Sequence, residues 1–525
     1  MTDRKGTTRR AVLGLGVAGA GGAAAAAVAT FTGSGNHASS HVAIASPARQ
    51  GKRLVAENSL PGDPHWRARH FGARADVEGY AGKASVLSGE SFPLFVSSTS
   101  DTVKVTAYRL GWYGGDGARR VWRSNPVRTG RQKAAARTGS TNTVHTDWDP
   151  VLEVATHDWP EGAYLLRLDA ANGAQRYVPL TVRSASTAGK IVIKHAVATW
   201  QAYNTWGGYD LYKGPGQNYG TRSLAVSLDR PYDATGADMF MTYERNLVKL
   251  VEYLGLPIAY VTGENIAADP NLLNGASALI SPGHDEYWTP AERANVTKAR
   301  DSGVNLAFLG ANALFRRTRM DSTAVGTDRL IICYKTAYTQ DPMYGKDNQQ
   351  VTSDWRDAPH AEPESSLIGT IYEGYPADAA YVVSSPSSWI FKGTGVRKGT
   401  SFPHLVGIEY DRVNPAFPTQ RPMEVLSHSP LTCQGKASYG DSAYYTHAGG
   451  AGVFNCGTMR WVEALYGDQP HGIGGKTPGF VRQVTTNVLR AFADGPAAGK
   501  FPAHDNLKVI HEFAGDPIGN SQNLQ

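Results

Sequence analysis

The chain has 525 residues, which at about 150 residues per domain is enough for three or four domains. Charged residues make up 19% and hydrophobic residues 41%, with 11 Trp and 25 Tyr, so a largely disordered or collagen-like chain is excluded. The formal net charge of +6 comes largely from the first 54 residues and from the stretch between Arg119 and Arg137, and no basic stripe indicates a nucleic-acid binder. Three cysteines are too few for a disulfide-stapled scaffold, although outside the cytoplasm Cys433 and Cys456 could be bridged, which would leave Cys333 over.

Residues 1–29 have the layout of a twin-arginine export signal. The pair Arg9-Arg10 closes a polar, basic start, a weakly apolar Gly/Ala-rich run follows, and Ala27-Val28-Ala29 offers a signal-peptidase site. Residues 30–54 are rich in small and polar residues and predict a disordered spacer. No later stretch approaches the ~20 apolar residues of a membrane span. We therefore expect a secreted or extracytoplasmic protein that meets the membrane only during export.

Between residues 55 and 186, short alternating runs predict an antiparallel β-sandwich of immunoglobulin-like size. Turns rich in Gly, Asp, Asn and Pro separate these runs, which are Ser91–Phe95, Val103–Leu110, Val151–Val154, Tyr164–Leu168 and Tyr177–Val182. The Gly-rich aromatic segment Arg109–Arg119 lies among them. No helix start follows that segment, so it is not a nucleotide loop, and we predict a tight turn that docks on the next domain.

From residue 187 to about 500, strands and helices alternate, which predicts an α/β domain with a parallel sheet and right-handed crossovers. The predicted strands are Lys190–Ile193, Ile258–Val261, Ala278–Ile280, Leu306–Phe308 and Gly452–Asn455, and the clearest helices are Gly236–Leu254 and Phe480–Phe492. The stretch of about 336–445, with strands Ala380–Val383 and Leu405–Tyr410, predicts a late insertion. Residues 501–525 form a polar tail.

Aromatic and polar residues concentrate in the loops after these strands, where parallel sheets hold their chemistry. The loop after the first α/β strand, His195–Tyr212, is dense in Trp and Tyr. Most of these aromatics fit a packing role. Tyr203 and Tyr212 differ, because a trivalent cation can deprotonate a phenol and bind it as a hard anionic ligand.

The third strand is followed by the segment Gly283–Trp288, in which four adjacent residues, His284 to Tyr287, are titratable. Buried without partners such groups are costly, so other side chains or a metal must compensate them. Thr289 and Pro290 predict a helix start, and its N–H groups could instead satisfy the carboxylates. Asn312 follows the fourth strand and adds a neutral amide to the same row of loops.

We do not expect covalent thiol or serine catalysis at this turn. None of the three cysteines lies near the turn after the third strand, where glutamine amidotransferases hold their nucleophile, and no Gly-x-Ser-x-Gly motif is present. The remaining chemistry is metal-assisted or general acid–base, and both use oxygen and imidazole groups.

Together these motifs resemble the large (beta) subunit family of N,N-dimethylformamidase. The similarity covers about residues 90–495 and is carried by Gly111–Arg119, Ala202–Gly208, Gly283–Trp288, Gly310–Asn312 and Gly450–Thr458. The resemblance implies a β-sandwich followed by a glutamine-amidotransferase-like α/β domain. It also implies a mononuclear iron, Fe(III), held by two tyrosines and one glutamate.

The family's metal ligands transfer residue by residue. Glu286 matches the carboxylate ligand and Tyr203 matches the first phenolate. The second phenolate falls on Tyr212, with Tyr209 and Tyr243 as alternatives because the loop lengths differ.

The resemblance also implies a hydrolase that acts on the non-peptide C–N bond of a linear amide. His284 would serve as general base or orient a water, and Asn312 would donate to the developing oxyanion. The family enzyme works inside the cell with a small partner subunit, whereas this chain has an export signal and no small-subunit segment. The amide substrate, the need for a small subunit and a homo-oligomeric state therefore stay open. The alternative is an exported, non-catalytic binding or surface protein that keeps the fold and recognises a glycan or peptide.

Overall fold

The computed structural model describes residues 52–467, 471–510 and 517–518. The predicted export signal, residues 1–29, lies outside these ranges, as do residues 30–51 of the predicted spacer and residues 511–516 and 519–525 of the predicted tail. Among the helices of the described residues, none combines the length and the apolar character that crossing a membrane requires.

The first part of the described chain is built from two sheets that pack face to face. One sheet has the strand order β1-β3-β9, and the other has the order β2-β11-β10-β4-β5, with β6 also pairing with β4. The strands, with the separate β7–β8 hairpin, are β1 Val77–Ala81, β2 Ser85–Leu87, β3 Ser91–Ser98, β4 Thr102–Leu110, β5 Ala118–Arg123, β6 Val127–Arg128, β7 Ala136–Thr138, β8 Thr143–His145, β9 Pro150–Ala155, β10 Gly162–Ala170 and β11 Gln175–Arg183. Apolar residues from both sheets, such as Leu94 and Leu166, share one buried core. The predicted strands in this region are confirmed.

A second, larger sheet has the strand order β14-β12-β15-β17-β25-β24-β23. Its strands are β12 Ile191–His195, β14 Ile258–Thr262, β15 Ala278–Gly283, β17 Asn305–Gly310, β23 Met423–Cys433, β24 Lys436–Thr446 and β25 Gly452–Asn455. The predicted parallel sheet is confirmed, because β14, β12, β15, β17 and β25 all pair in parallel. Strands β24 and β23 extend it in antiparallel fashion.

The remaining elements of the described residues are five short strands, one long hairpin and the helices. The short strands are β13 Ala225–Ser227, β16 Tyr287–Trp288, β18 Arg316–Arg317, β19 Arg319–Asp321 and β20 Leu330–Ile332, and a long hairpin is formed by β21 Ile371–Val382 and β22 Ser401–Arg412. The helices are α1 Lys52–Asn58, α2 Val197–Ala202, α3 Asp238–Tyr243, α4 Arg245–Leu254, α5 Gly263–Ala268, α6 Pro290–Asp301, α7 Ser365–Ile368, α8 Thr477–Ala493 and α9 Leu507–Ile510.

Helices cover both faces of the large sheet. Ile191 and Ile193 of β12 pack into one core with helices α4 and α8, whereas Val192 packs into the other core with α5 and α6. Side chains alternate between the two faces of a strand, so a strand buried on both sides has a continuous apolar sequence. The molecule is therefore α/β plus β, and the carboxyl ends of β12, β15 and β17 lie side by side.

Two expectations need correction. The predicted helix Gly236–Leu254 is broken at Glu244, whose backbone is not helical, with φ −129° and ψ −37°. The Glu244 carboxylate accepts hydrogen bonds from the backbone N–H of Ala196 and from the indole of Trp200, and these tertiary contacts accompany the break. The bridge between Cys433 and Cys456 does not form, since both are free, buried thiols.

The Gly-rich segment Arg109–Arg119 packs against helix α4, as predicted. Arg109 forms a buried ion pair with Glu252 at 2.7 Å. Trp112 meets Tyr253 edge-on, with ring centroids 4.8 Å apart. These contacts join the face-to-face sheets to the α/β part of the molecule.

Candidate functional site

The site lies beyond the carboxyl ends of three neighbouring parallel strands. Helix α2 follows β12 after one residue and ends at Tyr203, its C-cap. His284 follows the last residue of β15, and Asn312 comes two residues after β17. Because β15 pairs with both other strands, the structure brings these loops together.

Two phenols and one carboxylate converge at the centre of the site. The Tyr203 hydroxyl donates to Glu286 Oε2 at 2.7 Å, and the Tyr212 hydroxyl lies 2.6 and 2.7 Å from Oε1 and Oε2. The two phenol oxygens are 2.9 Å apart. Glu286 is fully buried, while both tyrosines are half-buried. We call these three residues the acid–phenol cluster.

Charges around the acid–phenol cluster keep Glu286 ionised and the phenols neutral. Burial alone would raise the pKa of Glu286, but the Arg316 guanidinium, whose Nε donates to Oε1 at 3.0 Å, acts in the opposite direction, and the pKa lies below its ordinary value. Burial and the charge of Glu286 raise the pKa of both Tyr203 and Tyr212 well above 10. The phenols therefore act as hydrogen-bond donors to the carboxylate.

His284 lies against this cluster with unsatisfied ring nitrogens. Its Nε2 is 3.6 Å from Glu286 Oε2 and its Nδ1 is 3.7 Å from Glu409 Oε2, distances beyond an ordinary hydrogen bond. Burial lowers the pKa of His284, while Glu286 and the Ala311 carbonyl act in the opposite direction. A neutral imidazole is a proton acceptor, which is the form that a general base requires.

Asn312 is held in the site by two acidic residues of β22. Its backbone N–H donates to Asp411 Oδ1 at 2.8 Å, which fixes the residue at a positive φ of 56°. Its side-chain NH₂ donates to Glu409 Oε2 at 3.0 Å, and its Oδ1 is buried without a partner among the described residues. Burial and the nearby Glu286 raise the pKa of Glu409, so this carboxyl favours its protonated form.

Three residues of the site were not predicted from the sequence: Glu409, Arg316 and Lys335. The Lys335 ammonium lies 3.1 Å from the centroid of the Tyr212 ring and has no hydrogen-bond partner within the described part of the chain. Burial and Arg316 lower its pKa well below 10.5. Of these three residues, only Glu409 could have been suspected from the sequence. It lies inside the apolar run Leu405–Tyr410, and a carboxylate buried in such a strand costs free energy unless a partner compensates it.

The alternatives for the second phenol lie elsewhere. The ring of Tyr209 is 5.5 Å from the Arg137 guanidinium, and it packs near Trp206. The ring of Tyr243 lies beside His284, with centroids 5.6 Å apart. Tyr212 is thus the residue that joins Tyr203 at Glu286.

The helix start predicted after the turn is confirmed, and Thr289 is the N-cap of α6, whose hydroxyl accepts from the N–H of Glu292. The carboxylate of Asp285 is satisfied by side chains instead: Lys194 donates to it at 2.9 and 2.8 Å, and the Ser281 hydroxyl donates at 2.7 Å. Lys194 also pairs with Glu292. Glu286 alone faces the phenols.

The donor set of the acid–phenol cluster suits a hard cation. Within the described residues, no group of three or more His, Cys, Asp or Glu side chains is arranged to hold a metal. The acid–phenol cluster contributes one carboxylate and two phenols instead, with the unpartnered nitrogens of His284 alongside. Anionic oxygen ligands are those that hard, highly charged metal ions prefer. The donor chemistry of these residues therefore fits the hard metal ion that the resemblance implies.

Comparison with known proteins places the chain in a family. The family described as "N,N-dimethylformamidase beta subunit-like, C-terminal" matches residues 104–473, which is more than half of the chain. No curated protein matches it. One similar solved structure is a cycloisomaltooligosaccharide glucanotransferase from Paenibacillus sp. complexed with cycloisomaltoheptaose, at 8% identity over 58% of this chain and 61% of that chain. Its TM-score of 0.16 is too low to support any argument about fold or function. On the family match, this chain belongs to the N,N-dimethylformamidase beta subunit-like family.

Proposed function

We propose that this protein is an exported, iron-dependent amide hydrolase that cleaves the C–N bond of a small linear amide. The observation that carries the proposal is the convergence of Tyr203, Tyr212 and Glu286, whose oxygens lie 2.6–2.9 Å from one another. Structural packing rarely needs two phenols on one buried carboxylate, whereas a metal site needs such a convergence of donors.

Tyr203, Tyr212 and Glu286 would hold the iron, since they are the hard oxygen donors of the site. The bound ion would supply a Lewis-acid centre beside the amide carbonyl. Arg316 supports this arrangement because it keeps Glu286 ionised through Oε1.

His284 and Asn312 supply the proton transfer and the substrate contact. His284 is neutral, buried and unpartnered, so it can accept the proton of an attacking water and return it to the leaving amine. An amide NH₂ carries two N–H bonds, and Asn312 gives only one of them to Glu409. The other is free to donate to the substrate oxygen as negative charge develops there.

Glu409 and Lys335 are buried beside the residues proposed to act on the substrate and the metal. A protonated Glu409 accepts a hydrogen bond from the Asn312 amide at 3.0 Å, so it orients Asn312, and it lies 3.7 Å from His284 Nδ1. The Lys335 side-chain nitrogen lies 3.1 Å from the centroid of the Tyr212 ring. We expect loss of activity, with the fold retained, from replacement of either side chain.

The domain architecture and the export signal are also part of the proposal. The face-to-face sheets support an immunoglobulin-like β-sandwich at 55–186, and the parallel sheet supports a glutamine-amidotransferase-like domain at 187–500. The predicted insertion of about 336–445 is not wholly separate from that domain, because its strands β23 and β24 extend the large sheet. The pattern of residues 1–29 supports export by the twin-arginine route. The products would be a carboxylic acid and an amine.

The proposal is tested with paired substitutions of buried glutamates. Glu286→Gln keeps the shape of the site but removes the charge, so iron content and hydrolysis of a panel of N-alkyl formamides should both be lost. Glu252→Gln is the matched control, because Glu252 is equally buried in an ion pair remote from the site. An iron-free protein that hydrolyses the panel, or a Glu286→Gln variant with full activity, would overturn the proposal. Wild-type protein that holds iron, hydrolyses no amide and binds a glycan tightly would favour the binding protein instead.

A further inference from the structure

Helix α2 and the turn after β15 are joined by one buried hydroxyl. Thr199 Oγ1 accepts hydrogen bonds from the backbone N–H of Glu286 at 3.0 Å and of Tyr287 at 3.3 Å. Thr199 has no exposed surface. Its role is not explained by the helix itself, since both donors belong to another element of the fold.

The same threonine also contacts the phenol side of the site. The Thr199 carbonyl accepts the backbone N–H of Tyr203 at 3.3 Å. Three hydrogen bonds therefore link Thr199, Glu286 and Tyr203 in a ring. The Glu286 N–H donates to the Thr199 hydroxyl, the Tyr203 phenol donates to the Glu286 carboxylate, and the Tyr203 N–H donates to the Thr199 carbonyl. The other attachments of the turn lead away from α2. Asp285 is bound to Lys194 and Ser281, and the Glu286 carbonyl accepts from the N–H groups of Phe315 and Arg316.

We propose that Thr199 is a positioning residue whose hydroxyl sets the separation between the Tyr203 phenol and the Glu286 carboxylate. Loss of the hydroxyl leaves two buried N–H groups without an acceptor, and the turn must then move relative to α2 to satisfy them. Such a movement changes the Tyr203–Glu286 hydrogen bond directly. Only the metal-binding arm of the test below rests on the proposed function.

The test compares Thr199→Val, which keeps the shape without the hydroxyl, with Thr199→Ser, which keeps the hydroxyl. Thr485→Val is the matched control, because Thr485 is also fully buried, lies in helix α8 and accepts from Trp461 Nε1 at 3.0 Å. Metal-free protein labelled with ¹³Cζ-tyrosine reports the hydrogen bonding of each phenol by NMR. Resonances are assigned with Tyr203→Phe and Tyr212→Phe. Ferric affinity is measured on the same samples.

We expect Thr199→Val to shift the Tyr203 resonance and to weaken ferric affinity by roughly tenfold, the order expected for lost buried hydrogen bonds. Thr199→Ser should restore both values, and Thr485→Val should change neither while lowering stability. A Tyr203 resonance that stays in place in Thr199→Val would overturn the positioning role. If Thr199→Val does not fold, Thr199→Ala and Thr199→Ser give the same comparison. If wild-type protein binds no ferric ion, the proposed function fails, and the NMR arm still decides the role of Thr199.

Discussion

The hydroxyl of Tyr212 lies 2.6 and 2.7 Å from the two carboxylate oxygens of Glu286. Tyr203 shares the same carboxylate, so a single ionised acid accepts hydrogen bonds from two neutral phenols. If these residues hold the proposed iron, its ligands are protonated before it binds. Metal binding must then displace phenol protons, because the anionic form of each oxygen is the ligand.

The first prediction concerns those protons. Ferric binding should release protons from Tyr203 and Tyr212, so apparent affinity should increase with rising pH. Calorimetry in buffers of different ionisation enthalpy measures the protons released per ion. Tyr212→Phe should release fewer protons than wild type. Binding with no proton release would contradict the assignment of the phenols.

The second prediction concerns the buried ion pairs beneath the turn. Lys194 pairs with Asp285 and Glu292, and all three side chains have at most 4% exposed surface. Lys194→Met leaves these carboxylates buried without their cation, so the free energy of unfolding should fall by about 3–5 kcal/mol. Urea denaturation measures the change. Lys133→Met is the control, since its pair with Asp147 is exposed and should contribute nothing measurable.

The third prediction concerns the pH dependence of stability. Burial raises the pKa of Asp238, at the start of α3, from 3.8 to about 6. The folded state therefore holds a proton that the unfolded state releases, so the free energy of unfolding falls as pH rises through this window and then levels off. Asp238→Asn removes the titration, so its stability relative to wild type should increase from pH 4 to pH 6. Denaturation across that range measures the trend, and parallel curves for Asp238→Asn and wild type would contradict the prediction.

The fourth prediction concerns the close approach of β15 and β17. A Cβ added at Gly310 would lie 2.0 Å from the Gly283 carbonyl oxygen, and backbone cannot give way as a side chain can. Gly310→Ala should cost about 1–3 kcal/mol or more and separate His284 from Asn312. Gly479→Ala, in helix α8 with open space around the added atom, should be neutral or slightly stabilising. Equal stability of the two variants in thermal unfolding would contradict the packing argument.

The strands and the order of the parallel sheet could be predicted because apolar periodicity and chain order are local signals. Lys190–Ile193 and Gly452–Asn455 are apolar runs between turns, and both became strands of the large sheet. The break at Glu244 could not be predicted, because the Glu244 carboxylate accepts hydrogen bonds from Ala196 and Trp200, which are distant in sequence. Helical periodicity carries no information about such tertiary hydrogen bonds.

The same distinction holds in the site. His284, Glu286 and Asn312 lie in the loops that follow predicted parallel strands, so topology alone predicts that they meet. Glu409 and Lys335 reach the site from the β21–β22 hairpin and from the turn after β20, and no spacing in the sequence relates either of them to Glu286. Long-range contacts of this kind become visible only in the folded molecule.

In the proposed function, Tyr203, Tyr212 and Glu286 hold one iron. The visible absorption spectrum of the purified mature protein, measured together with its metal content, tests this assignment. We expect about one iron per chain and a tyrosinate-to-iron charge-transfer band that weakens in Tyr203→Phe and in Tyr212→Phe. A colourless protein without iron that hydrolyses its amide would contradict this assignment.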